Sequence, residues 1–144
     1  MPLDPEALDR ALAFEPSRLE ALRRGWRTVI DLVVWAPPSS GRLGALARLR
    51  KRAFDLGEKL AALGASRAWI PHSRERAKSA LASALAAAQA LEQFAAPFAE
   101  LEPGAERDSL AQAFAALRAD AEQPIREYGE HCARLLEAVT QEEN

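Results

Sequence analysis

The sequence has a single cysteine, few aromatic residues and no long stretch without charge. Because Cys132 is alone, an internal disulfide and a cysteine-based zinc site are excluded, and a reducing compartment is expected. The longest run without a charged residue, 79–91, has 13 residues, whereas a membrane-spanning helix needs about 20. Pro2 and Asp4 stand where a signal peptide would carry a basic and then an apolar stretch. We therefore expect a cytoplasmic protein without a membrane span.

The scarcity of aromatic residues also constrains the core. Hydrophobic residues make up 49% of the chain, yet 32 residues are alanine and only nine are Phe, Trp or Tyr. Alanine and leucine are strong helix formers, and small side chains allow helices to approach closely. A chain of 144 residues falls in the size range of one domain. The composition predicts a single all-α domain over residues 1–144.

The net charge is small but unevenly distributed. A formal net charge of -2 argues against a general polyanion-binding protein, which would carry a large positive excess. Residues 1–41 carry five basic and six acidic side chains, residues 42–78 carry ten and three, and residues 79–144 carry four and twelve. This segregation predicts a positive and a negative side, which suits docking to a charged partner or to another copy of the chain.

Hydrophobic periodicity predicts four long helices behind a short first one. The clearest pattern lies in residues 46–63, where leucine and alanine recur at alternating steps of three and four. The predicted helices are at about 5–14, 18–36, 42–63, 74–101 and 107–140. Amphipathic helices joined by short loops favour antiparallel neighbours. The sequence therefore predicts an up-down four-helix bundle, with the short helix covering the end where the last two helices overhang.

Capping residues and prolines set the predicted helix ends. Asp4 begins the first helix, and Ser17 with Glu20 forms a capping box for the second. Pro97 predicts a last turn of the fourth helix that is restarted or kinked, and Pro124 predicts a kink or break in the fifth.

One segment could also be interpreted as a strand. Residues 28–35 are rich in β-branched side chains, which favour extended structure. A strand needs a partner, and no other segment offers one, so a helix ending at the Pro-Pro-Ser-Ser-Gly loop 37–41 is favoured.

No motif for a cofactor, a metal ion or a catalytic nucleophile is recognisable. The sequence contains no glycine-rich phosphate loop and no nucleophile elbow. The histidines, His72 and His131, lack metal-ligand spacing, since Glu127 and His131 lie one helical turn apart but the pair has no second copy. We expect no metal and no cofactor, and a non-catalytic function is favoured.

One short motif has a catalytic parallel. Arg126 and His131 form an Arg-x4-His pattern on the last predicted helix, which resembles the signature of HEPN-type ribonucleases. By that resemblance Arg126 would stabilise phosphate charge and His131 would transfer a proton at a dimer interface. The interpretation we favour is an exposed helix face with His131 beside the core stripe.

Basic residues form the first set of candidate partner-binding residues. Arg48, Lys51 and Arg52 lie opposite the leucine stripe of the third helix, and Arg74 and Arg76 lie beside the following linker. In a nucleic-acid-binding protein such side chains contact phosphates. On most helices they form a solvated face.

Two tryptophans form the second set. Trp35 and Trp69 fall near opposite ends of the predicted bundle. The simpler interpretation is that they plug the ends of a core made of small residues. If exposed, they would be the best anchors for a partner.

These observations favour a non-catalytic helical protein-protein interaction module, acting as an adaptor, a small subunit or a self-associating bundle. The first alternative is a nucleic-acid-associated helical subunit that uses a basic face on residues 42–78. The second is a HEPN-like ribonuclease.

Overall fold

The computed structural model describes residues 4–35 and 44–143. It contains α1 (Pro5–Leu12), α2 (Pro16–Val34), α3 (Ala45–Leu63), α4 (Ser73–Gln93) and α5 (Ala105–Glu143), with a short 3₁₀ helix at Ala96–Glu100. The all-α prediction is confirmed, and residues 28–34 are helical. The predicted loop 37–41 lies outside the described residues. None of the helices in the described part of the chain has the length and apolar character needed to cross a membrane.

The four long helices form an up-down bundle. Consecutive helices contact each other, and α5 returns to pack against α2. Within the described residues the diagonal pairs, α2 with α4 and α3 with α5, make at most marginal contact. Basic α3 therefore lies across the bundle from acidic α5. The end where α2 and α4 begin is the lower end, and the end where α3 and α5 begin is the upper end.

The short helix α1 lies at the lower end, as predicted. Its cap is Asp4, whose Oδ1 accepts a hydrogen bond from a backbone N–H three residues later at 2.8 Å. Its last turn contacts α5, since the Tyr128 hydroxyl donates to the carbonyl of Leu12. Because a carbonyl can only accept, Nε2 of His131 is the donor in its 2.6 Å bond to the carbonyl of Ala11. These two bonds hold α1 over α5.

Helix α2 begins earlier than predicted and has a different cap. Pro16 occupies the first position, where its fixed φ and missing N–H are suited. The carboxylate of Glu15 accepts hydrogen bonds from the N–H groups of Ser17 and Arg18, at 3.0 and 2.9 Å, and from the Ser17 hydroxyl. These bonds, that from the hydroxyl first, lower the pKa of Glu15. The predicted capping box of Ser17 and Glu20 is wrong because the helix has already begun at Pro16.

Prolines affect the last two helices differently. The chain leaves α4 after Gln93 and forms a separate 3₁₀ turn that contains Pro97. The last turn predicted up to residue 101, restarted or kinked at Pro97, is this separate turn, since Pro97 cannot donate the backbone hydrogen bond that would continue α4. Helix α5, in contrast, is continuous through Pro124. At about 1.5 Å per residue it is about 58 Å long, roughly twice the length of α2.

The core combines small residues along the helices with aromatic clusters at the ends. Helix α4 buries a row of alanines: Ala77, Ala80, Ala84, Ala87 and Ala90. At the upper end Phe94 lies 5.7 Å from Phe98 and 4.7 Å from Phe114, measured between ring centroids. At the lower end Phe14 packs edge-on against Tyr128 at 5.1 Å. Both ends of the core are thus filled by phenylalanine and tyrosine.

Candidate interaction surfaces

The tryptophans Trp35 and Trp69 lie on the surface. Trp35, at the C-terminal end of α2, is 81% exposed, and Trp69, between α3 and α4, is 78% exposed. The interpretation that they plug the bundle is wrong, because other aromatic rings fill both ends of the core. Tryptophan is highly buried on average. Two exposed indoles are therefore candidate anchors for a partner.

Arg76 is an internal residue of the lower end rather than part of a basic surface. It is 8% exposed, and its guanidinium pairs with Asp9 of α1 at 3.2 Å. Its Nη2 donates to the carbonyl of Ala68 at 2.9 Å, and its Nε donates to the carbonyl of Ile70. These bonds tie α1 and the α3–α4 linker to the first turn of α4. A partner could reach this charge only by displacing them.

Arg67 is buried in the same linker. Its Nη1 donates to the carbonyl of Ala65 and its Nη2 to that of Ala62, both at 3.0 Å. Nη2 also donates to Oγ of Ser83 at 2.9 Å. These carbonyls lie at the C-terminal end of α3, where the helix dipole favours a cation. Arg67 therefore joins the end of α3 to α4.

The other predicted basic residues do not form a single surface. Arg48 pairs with Glu100 of the 3₁₀ helix, and Nη1 of Arg52 donates to the last carbonyl of α4. Arg48 thereby holds α3 against the 3₁₀ helix, and Arg52 holds α3 against the upper end of α4. Lys51 is exposed on α3, and Arg74 is exposed in the first turn of α4 at the lower end.

The structure separates Arg126 from His131. Arg126 is exposed and lies 3.8 Å from the carboxylate of Glu122, whereas His131 is half-buried and bonded to α1. A separation of five residues turns the helix by about 140° at 3.6 residues per turn. Within one chain the two side chains therefore face different surroundings, and the geometry offers no shared catalytic site.

Cys132 is a packing residue. Burial raises the pKa of its thiol, and burial also raises the pKa of the neighbouring Tyr128 phenol. Because the thiolate is the nucleophilic form, a protonated buried thiol is poorly reactive. Among residues 4–35 and 44–143, no three His, Cys, Asp or Glu side chains are grouped so that they could hold a metal ion.

The sequence pattern did not predict a groove between α2 and α3. This α2/α3 groove, of about 460 Å³, is lined by Arg23, Trp26, Arg27, Phe54, Gly57 and Glu58 among others. Phe54 is 54% exposed within it. The indole N–H of Trp26 donates to the carbonyl of Ala53 at 2.7 Å, which fixes the ring against α3.

A glycine makes room for this indole. A Cβ atom at Gly57 would lie 2.5 Å from Cζ2 of Trp26, so any side chain there would collide with the ring. A sequence signal for the exposed aromatic also exists. Phe54 follows Ala53 of the buried stripe by one position, about 100° around the helix, which turns it away from the core.

A second groove lies between α4 and α5. This α4/α5 groove, of about 560 Å³, is lined by Leu85, Ala88, Gly129 and Ala133 and by the charged residues Arg118, Glu122, Arg126 and Glu130, among others. Leu85 is 61% exposed. The groove is therefore apolar along its floor and charged along α5.

No protein-family model, curated protein or solved structure matches the chain.

The two grooves lie on opposite sides of the bundle and differ in charge. Helix α2 carries four basic and two acidic side chains and α3 carries five and two, whereas α5 carries four basic and nine acidic ones. Because α2 and α3 are neighbours on one edge and α4 and α5 on the other, the α2/α3 side is positive and the α5 side is negative. Such a distribution attracts negatively charged molecules to the α2/α3 side more than to the α5 side.

Proposed function

We propose that the protein is a non-catalytic protein-protein interaction module that binds an acidic amphipathic helix of a partner in the α2/α3 groove. The observation that carries this proposal is the exposed ring of Phe54, which lies in a groove with Trp26 and two arginines. Interface hot spots are enriched in aromatic residues and arginine, usually at the centre of a surface that excludes water on binding.

A helix is the occupant that fits this groove. Two antiparallel helices bound it, and an amphipathic helix places its apolar anchors on one face at steps of three and four. Phe54 and Trp26 provide the apolar contact, while Arg23 and Arg27 are placed to pair with carboxylates at the edge of that face. Lys51, one turn before Phe54 on α3, extends the positive charge.

The exposed tryptophans would serve as secondary anchors. Trp35 lines a separate pocket with α2 and the start of α5 at the upper end, and Trp69 lies at the lower end. Both would contact parts of the partner that extend beyond the α2/α3 groove, and exposed Arg74 would contribute at the lower end. Arg48, Arg52 and Arg76 are not included, because their guanidinium groups are already bonded within the chain.

A nucleic-acid partner is the second candidate, favoured by the same exposed ring. Single strands bind to surfaces that combine stacking aromatics with positive charge. Glu58 lines the groove and Asp55 lies next to Phe54, so phosphates would meet negative charge there. This repulsion disfavours a nucleic acid. An acidic protein segment is favoured because its few carboxylates can pair with the arginines of the groove and avoid the acidic side chains.

The test is a binding screen with displayed acidic helical peptides, followed by measurement of dissociation constants by fluorescence anisotropy. Phe54→Ala should weaken binding at least about tenfold, as expected for a hot-spot residue. Leu85→Ala, which removes a similarly exposed apolar side chain on the opposite side, is the matched control and should leave binding unchanged.

Labelled single-stranded oligonucleotides, measured in parallel across a salt series, distinguish the second candidate. Oligonucleotide binding that falls steeply with salt, together with no peptide binding, would favour the nucleic-acid role. Peptide binding that is as tight for Phe54→Ala as for the wild type would contradict the proposed groove.

A further inference from the structure

The α4/α5 groove has an unfilled apolar floor. Among the described residues, Leu85 is the most exposed of the large aliphatic side chains. Beside it the floor includes the small residues Ala88, Gly129 and Ala133. A projecting leucine next to a shallow strip of small residues allows another helix to approach closely.

Packing within the chain does not require a glycine at position 129. A Cβ atom at this position would lie 3.6 Å from Cβ of Ala84, an ordinary contact distance, so an alanine would fit. In contrast, a Cβ at Gly25 would lie 3.0 Å from Leu117 and one at Gly57 would lie 2.5 Å from Trp26. Glycine in a helix is unfavourable relative to alanine. The missing side chain at 129 leaves room for another helix to approach α5 closely.

The charges along this groove alternate in sign. Arg118, Glu122, Arg126 and Glu130 follow one another at intervals of four residues and all line the groove. Within one chain Glu122 lies 3.7 Å from Arg118 and 3.8 Å from Arg126, but these side chains are at least half exposed. Such exposed pairs within one helix contribute little to stability, so they can exchange for pairs with another copy. When two copies of α5 pair antiparallel, Arg118 lies opposite Glu130 and Glu122 lies opposite Arg126. Both pairs are centred on residue 124, so one two-fold axis satisfies them together. A two-fold axis also repeats each pair, giving four complementary contacts.

This pattern identifies a second copy of the chain as the occupant. With Glu92 included, three acidic and two basic residues line the groove. Its net charge is therefore small and does not favour a strongly charged partner. The charged segment of α5 spans about 20 Å, and two adjacent helices are about 20 Å wide. Each copy would bury a few hundred Å², which places the pair near the weak end of specific interfaces.

We propose that the α4/α5 groove is the interface of a weak, antiparallel homodimer whose two-fold axis passes between Glu122 and Arg126 of α5. Leu85 of each copy packs against the small residues of the other, and the alternating charges fix the register. The proposal does not depend on what binds in the α2/α3 groove.

The first test measures the dimer dissociation constant of the full chain by sedimentation across a concentration series. In Glu122→Arg and in Arg126→Glu, two opposite-charge contacts become like-charge contacts. Each variant should weaken the dimer at least about tenfold. Asp120→Arg reverses a charge on α5 that does not line the groove and should dimerise as the wild type does. Circular dichroism should show full helicity in all variants, because these side chains are exposed.

Mixing the two monomeric variants is the decisive measurement. The new arginine at position 122 of one copy then faces the new glutamate at position 126 of the other, and Arg126 faces Glu122. The mixture should form heterodimers by light scattering at concentrations where each variant alone is monomeric. A wild-type chain that stays monomeric at all concentrations, single variants that dimerise normally, or a mixture that stays monomeric would each overturn the proposal.

Discussion

The glycines at positions 57 and 129 lie inside helices for different reasons. At Gly57 the ring of Trp26 occupies the space that a side chain would need, whereas at Gly129 a methyl group would fit against Ala84. The first glycine is therefore required by packing inside the chain. The second glycine leaves a gap on the surface of α5 that a methyl group could fill.

Substituting alanine at each position should change stability in opposite directions. Gly57→Ala should lower the free energy of unfolding by about 1–3 kcal/mol, because the new methyl overpacks against an indole held by a hydrogen bond. Gly129→Ala should raise it by about 0.5–1 kcal/mol through helix propensity. Urea denaturation at dilutions where the chain is monomeric measures both. Stabilisation by Gly57→Ala would show that Trp26 does not occupy its place against α3.

Exposure of single large residues was only partly predictable. Phe54 lies one position off the leucine stripe, so periodicity alone orients it outward. Trp35 and Trp69 lie at or beyond helix ends, where periodicity gives no direction, and their exposure depends on how Phe14, Phe94 and neighbouring rings fill the core ends.

At the scale of single helices, the start of α2 depends on one carboxylate. Because Glu15 accepts hydrogen bonds from Ser17 and Arg18, its pKa in the folded chain lies below the ordinary value of 4.5. A lowered pKa means that the ionised form stabilises the fold above pH 4.5 and that this contribution is lost as the pH falls through the lower, folded-state value.

Glu15→Gln should therefore destabilise the chain at neutral pH and lose that effect in acid. The difference in free energy of unfolding between the wild type and Glu15→Gln should shrink as the pH is lowered below 4.5. Chemical denaturation followed by circular dichroism at several pH values measures it. Glu20→Gln, an exposed change in the same helix, is the control and should show a smaller difference. A difference for Glu15→Gln that does not depend on pH would contradict the cap.

The helices themselves were largely predictable, and their ends were not. Leucine and alanine spacing is a local signal, so it identified the five α-helices of the described residues and their up-down order. The cap at Glu15 was missed because Ser17 and Glu20 form an equally regular local motif, and only the helical geometry at Pro16 decides between them. Pro97 and Pro124 are the same residue type, yet the first stands after the end of α4 and the second lies within α5.

At the scale of the whole molecule, the two grooves occupy opposite sides. The sequence predicted the separation of charge, because basic α3 and acidic α5 are diagonal in any up-down bundle. It did not predict which arginines remain exposed. Arg76 is buried and bonded to Asp9 of α1, a residue 67 positions away. A contact between residues so far apart in the sequence produces no local sequence pattern that could predict it.

Separate surfaces predict independent binding. Phe54→Ala should leave the homodimer unchanged, and Glu122→Arg should leave the affinity for an acidic helical peptide unchanged, because the affected side chains do not share a groove. Wild-type protein saturated with peptide should sediment as a complex of two chains and two peptides. Loss of dimer when peptide binds would show that the two sides are coupled.

The distribution of the indoles has a spectroscopic consequence. The chain has three tryptophans, and two of them, Trp35 and Trp69, already face water in the folded state. Their emission should therefore be red-shifted in the native protein and change little on denaturation, leaving Trp26 as the main fluorescent reporter of unfolding. A blue shift when a second molecule is added would then signal that a partner has covered an indole.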